Sequence, residues 1–167
     1  MSQLHFSSSM NQLIAAAVQL GAHLPSLSCR VLAYRESVPS GLCGSYVSLS
    51  GGGGEHIVGL LSRPLAWDAL SRALDHDCPA GEVRGIVEGA CELSKMVAER
   101  FRGRLGVASG CSIGLPLFAE GLVSGGRNSQ LRAADIVLGS SLVLLVLLSR
   151  TVVSEVSTTL VSEAGAS

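Results

Sequence analysis

Met10, Leu13, Ala17 and Leu20 recur at helical spacing, which predicts a first helix from about Ser9 to Leu20. Ser8 or Ser9 can cap its start, Gly21 can end it, and Pro25 keeps the following residues out of helix. Three strand-like segments come next. SCRVLAYRE spans Ser28 to Glu36, SYVSLS spans Ser45 to Ser50, and EHIVGLLS spans Glu55 to Ser62. In the second of these, Val47 and Leu49 alternate with serines, the period of a half-buried strand. GGGG at 51–54 reads as the hairpin loop between the second and third.

The period then returns to that of a helix. Ser62 and Pro64 mark the start of a short helix ending near Leu74, with Trp67, Leu70 and Leu74 inward. DHDCPAG, from Asp75 to Gly81, is a loop. The longest helix is predicted from about Glu82 to Arg102. Ile86, Ala90, Leu93, Val97 and Phe101 form its apolar stripe. Glu88, Glu92, Lys95, Glu99 and Arg102 form a polar stripe beside it. The remainder reads as β-rich: Ser109 to Val123, a turn at 124–130, a strand from Ser141 to Ser149, and a last strand from Val152 to Glu163. The tail AGAS at 164–167 is expected to fray. The order is α-βββ-αα-βββ within a single domain, 1–167. Helix followed by strands occurs twice, which hints at duplicated halves.

Composition narrows the function classes. With 47% apolar and only 4% aromatic residues, Val, Leu, Ile and Ala must fill the core. A net charge of −1 gives no electrostatic surface for nucleic acid. The longest apolar run, Leu142 to Leu148, is far shorter than the ~20 residues a spanning helix needs, so it reads as a buried strand bracketed by Arg132, Asp135 and Arg150. The N-terminus has neither a basic n-region nor a long apolar h-region, so no signal peptide is expected. Five widely spaced cysteines, an odd number, fit free and mostly buried thiols in a reducing cytoplasm.

Candidate chemistry concentrates in EGACELSKM, Glu88 to Met96. Glu92 and Lys95 at i,i+3, and Lys95 and Glu99 at i,i+4, also fit ordinary surface pairs on a helix. DHDC at 75–78 holds metal-ligand residue types, but they are adjacent rather than brought in from separate turns, so a polar loop is the better reading and no metal is expected. GGGG lacks the Lys-Ser/Thr of a phosphate-binding loop. No nucleophile elbow accompanies the many serines. Cys91 adjoins Glu92 but has no helix N-terminus or nearby histidine to activate it.

The spacing around Glu92 resembles the signature of the CheC/CheX/FliY group of chemotaxis phosphatases, most closely CheX with its single long helix. That signature is an acidic residue or Ser, three residues, Glu, two residues, Asn, and a Pro some twenty-odd residues on. Glu88, Glu92, Met96 and Pro116 fall on family positions. SYVSLSGGGGEHIVGLLSRPLAWDALSRAL has the family's strand, glycine turn, strand and helix in order, and the likeness covers roughly 40–164. The signature Asn position holds Lys95.

The resemblance implies an α+β fold with an antiparallel-rich sheet and helices packed on one side. It also implies a strand-mediated homodimer acting in the cytoplasm of a two-component or chemotaxis system. The partner would be a response-regulator receiver domain met through Glu88, Glu92 and Lys95, with Pro116 contributing. The resemblance gives the Glu an anchoring role and the Asn a water-orienting role in hydrolysis of the regulator's aspartyl phosphate. A carboxamide both accepts and donates, whereas a lysine ammonium only donates. Phosphatase activity is therefore expected to be weak or lost. Any Mg²⁺ would belong to the receiver, and no cofactor of the chain's own is implied. The first helix offers Asn11 and Gln12 but no carboxylate, so a second site is not expected. Two other readings stay open: a non-enzymatic interaction module that kept the fold, and an active phosphatase in which Lys95 stabilises transition-state charge.

Overall fold

The computed structural model describes residues 2–51, 54–74, 83–106, 110–121 and 129–151. Met10, Leu13, Ala16, Ala17 and Leu20 are buried along one side of helix α1 (Ser2–His23), as their spacing predicts. The helix is longer at both ends than the expected 9–20. Gly21 does not end it. It allows a close approach instead, because a Cβ there would lie 2.9 Å from Ser28 Cα in the segment that leads back to the sheet. A three-residue 3₁₀ turn, Pro25–Leu27, makes that connection.

Strand β1 (Cys29–Arg35) follows, then the hairpin of β2 (Cys43–Gly51) and β3 (Gly54–Ser62), paired in register from Cys43 opposite Ser62 to Gly51 opposite Gly54. Helix α2 (Pro64–Ala73) starts on its proline, whose missing N–H costs nothing at that position. Helix α3 (Val83–Leu105) comes next. Two short strands, β4 (Ser112–Ile113) and β5 (Leu117–Glu120), both add to the outer side of β2. Strands β6 (Ser129–Leu138) and β7 (Ser141–Thr151) close the order as a tight antiparallel pair. The seven strands form one antiparallel sheet in the order β1-β6-β7-β3-β2-β4, with β5 also on β2.

The main core lies between the sheet and the three helices. It joins the α1 stripe to Trp67 and Leu70 of α2, to Ala90, Leu93, Val97 and Phe101 of α3, and to Val47, Leu49, Val58, Leu60, Val143, Leu145 and Leu147 of the strands. Trp67 is fully buried and its Nε1 donates to the Cys43 carbonyl at 2.7 Å, which ties α2 to β2. The alternate residues of the same strands face the other way. There Tyr46, Leu61, Ala133, Leu144 and Val146 form a second cluster, against which Val38 and Leu42 of the β1–β2 connection pack. From Val143 to Leu148 the apolar run of β7 is therefore covered on both faces, while Leu142 at its start is 56% exposed.

A further sequence expectation is corrected. Residues 129–138, expected to be the end of a turn and a polar bracket, form the ten-residue strand β6. Arg132 and Asp135 lie inside it, not outside a neighbouring strand. Their charges are met from the β1 side, Asp135 by Arg35 and Arg132 by Glu36. The expected loop 75–81, the turn residues 124–128, the strand 152–163 and the tail lie outside the described residues.

Among the described residues Cys29, Cys43, Cys91 and Cys111 are free thiols; Cys43 is buried and the other three are half-buried, where mostly buried thiols were expected. Burial pushes the Cys29 thiol up to about 11, against ~8.5 in an unfolded chain. Burial, and then the Glu120 carboxylate, also raise Cys43. The fold thus favours the protonated thiols, and that stability is present below ~8.5 and lost as pH rises through about 11. The urea midpoint should fall steadily between pH 8 and pH 11. Cys29→Ala should shallow that fall without removing it, because Cys43 contributes in the same direction.

Candidate functional site

Helix α3 exposes the polar stripe and buries the apolar one. Glu88, Glu92, Lys95 and Glu99 are exposed, while Ala90, Leu93, Val97 and Phe101 face the core. Their placement follows from the helical period alone: positions 88, 92, 95 and 99 step by four, three and four residues, so they share one side. The structure therefore brings Glu88, Glu92 and Lys95 together on one solvent-facing surface. Met96, next along the chain, turns partly inward and packs against the core.

The orientation of this face is set by what lies beneath α3. At its N-terminal half, Gly89 sits against α2 so closely that a Cβ would lie 2.1 Å from Ser71 Oγ. Ser71 Oγ donates to the Gly85 carbonyl at 2.9 Å. In its middle, the buried Ser94 reaches Ser45 of β2. Toward its C-terminus, Arg104 Nε donates to Gln12 Oε1 of α1 at 2.8 Å. Gln12, considered for a second site, is thus engaged by α3, while Asn11 is exposed.

Glu88 accepts from Arg84 Nε at 2.9 Å, one helical turn away. Both side chains are largely in water, at 79% and 45% exposure, so the pair contributes little. Arg84→Ala should change unfolding stability by no more than ~0.5 kcal/mol, read as a urea midpoint.

Pro116 immediately precedes β5 and is half-buried. Gly114, just before it, donates its N–H to the Ser48 carbonyl at 2.7 Å. Within β5, Phe118 stands opposite Ser45, the strand residue that touches Ser94 and Cys91. Pro116 is thus two residues from the part of the sheet that underlies the turn carrying Glu92 and Lys95.

An open groove of about 540 Å³ lies elsewhere, between α1 and the β1–β6 edge, lined by Met10, Asn11, Tyr34, Arg35, Glu36 and Arg132 among others. Its arginines are answered by Asp135 and Glu36, so it presents no excess charge. Among the described residues no three His, Cys, Asp or Glu side chains cluster to hold a metal. DHDC at 75–78 lies outside them. No described helix is long and apolar enough to cross a membrane. The buried Ser45 and Ser94 were missed by the sequence reading. The one available signal was that Ser45 shares the alternation of Val47 and Leu49.

Sheet order and helix placement define an α+β protein with one antiparallel sheet and its helices packed on one face. No protein-family model matches the chain, and no curated protein matches it. Solved structures do. CheX from Vibrio vulnificus superposes with a TM-score of 0.68 at 12% identity, over 86% of this chain and 99% of that one. A chain of the CheX–CheY complex with BeF₃ and Mg²⁺ from Borrelia burgdorferi matches with a TM-score of 0.62 at 15% identity, over 84% and 97%. The FliM middle domain of Helicobacter pylori matches with a TM-score of 0.51 at 15% identity, over 91% and 92%. The chain has the fold of CheX and CheC-like chemotaxis proteins.

Proposed function

We propose that this chain docks a response-regulator receiver domain through the exposed face of α3, with Glu88 and Glu92 as the anchoring acids and Pro116 contributing. The observation that carries this reading is the fold shared with CheX, including a CheX–CheY complex, together with Glu88, Glu92 and Lys95 exposed on one side of its long helix. The setting would be a chemotaxis or other two-component system, and the compartment the cytoplasm, where free cysteines persist. Any Mg²⁺ belongs to the receiver.

In this reading hydrolysis is weak or lost. Phosphoryl transfer depends on positioning and on electrostatic stabilisation. An amide can accept a hydrogen bond from water and aim its lone pair, but an ammonium has three donors and no acceptor. Lys95 keeps attraction for a phosphoryl group while removing the acceptor. Dimerisation through strands belongs to the same proposal. Edge strand β1, with Leu32 and Tyr34 exposed at 52% and 66%, is the surface that supports it. Sedimentation at rising concentration tests it.

The fold is also shared with a chain of the FliM–SpeE complex from Helicobacter pylori, which supports a second reading, an interaction module on the same fold. Mixing the protein with a panel of phosphorylated receivers and following both complex formation and phosphate release separates the two. Complex formation that depends on receiver phosphorylation supports docking. Failure to bind any receiver leaves the interaction module.

A further inference from the structure

Helix α3 meets the sheet mostly through apolar side chains, with the His56 ring of β3 edge-on to Phe101. Ser94 of α3 and Ser45 of β2 are both fully buried, with their Oγ atoms 2.8 Å apart. Ser45 Oγ in turn donates to Cys91 Sγ at 3.6 Å, and the Cys91 carbonyl lies 3.1 Å from Ser94 Oγ as an alternative acceptor. Burying two hydroxyls costs much of what their hydrogen bond returns, so the pair adds little net stability.

What it adds is direction. Apolar contact is non-directional, and Leu93 and Val97 would tolerate a small rotation of α3 over Val47 and Leu49. A hydrogen bond has a preferred distance and angle and would not. Its sheet end is fixed, because Ser45 stands between Leu60 of β3 and Phe118 of β5. Its helix end lies between Glu92 and Lys95 in the chain, so it governs the turn that displays both.

We propose that Ser45 and Ser94 are positioning residues, a polar pin that sets the rotation of α3 and hence the direction in which Glu92 and Lys95 meet a partner. The pin rests on the receiver-docking reading for its purpose, but its effect on the helix is measurable without a partner. The test is the double variant Ser45→Ala/Ser94→Ala in the full chain. It removes both hydroxyls together, so neither is left facing an empty partner.

The variant should melt within a few degrees of the unmodified protein. Backbone amide resonances of residues 91–96 should shift and broaden, while those of 101–105 stay in place. Its affinity for a receiver charged with beryllofluoride and Mg²⁺ should fall by about three- to tenfold, and Glu92→Gln should cost less affinity in its background than in the unmodified chain. Unchanged amide resonances, or an unchanged affinity and an unchanged Glu92→Gln effect, overturn the pin. If the unmodified chain captures no charged receiver, the docking reading fails, and with it the pin's proposed purpose. The amide resonances then judge the rotation alone.

Discussion

Lys95→Asn is expected to turn a chain that hydrolyses receiver phosphate weakly or not at all into a measurable phosphatase. The substitution restores an acceptor next to two donors on the α3 face and removes a cation that would stand near the receiver's own lysine and metal. Misplacing a reacting group costs on the order of 10²-fold. Phosphate release in the variant should therefore exceed that of the unmodified chain by about 10- to 100-fold. Stability should barely change, because Lys95 is exposed. Phosphate release from a ³²P-labelled receiver reads the outcome. Strong hydrolysis by the unmodified chain, abolished by Lys95→Ala, would instead make Lys95 the charge-stabilising group.

The largest effect on folding is expected at Trp67. Its ring is fully buried among α2, α3 and the sheet, and its Nε1–H satisfies the Cys43 carbonyl. Trp67→Ala should destabilise by about 3–5 kcal/mol through the cavity it leaves, with the orphaned carbonyl pushing toward the upper end. Trp67→Phe should cost less, because it retains most of the volume. Urea denaturation followed by circular dichroism reads both.

The sequence carried the local part of this architecture well. The α1 stripe, the β2–β3 hairpin, the Pro64 start of α2 and the two-sided α3 all depend on spacing within about twenty residues, where periodicity is strongest. The resemblance motif placed Glu88, Glu92 and Lys95 on one helix face, and the structure puts all three in solvent. Strand β6 was missed because Arg132 and Asp135 interrupt its apolar pattern. Their partners, Arg35 at the end of β1 and Glu36 just beyond it, lie about a hundred residues earlier, so nothing local announces that these charges can lie within a sheet. Ser45 and Ser94 were missed for the same reason, since only the stacking of α3 on β2 makes them a buried pair. The length of α1 was underestimated because Ser8 or Ser9 was taken as its cap and Gly21 as its stop. Its missing side chain serves packing against Ser28 instead.

The central claim is that α3 is a receiver-docking face whose anchor is Glu92. The most direct measurement is calorimetric or fluorescence titration of the full chain with receivers, each with and without beryllofluoride and Mg²⁺, beside Glu92→Gln. The account predicts binding to at least one receiver only in its charged form, weakened by about tenfold or more in Glu92→Gln, as expected when a charge-assisted contact worth about 1.5–3 kcal/mol is lost. Binding that ignores the receiver's charged state, or that Glu92→Gln leaves untouched, would contradict it.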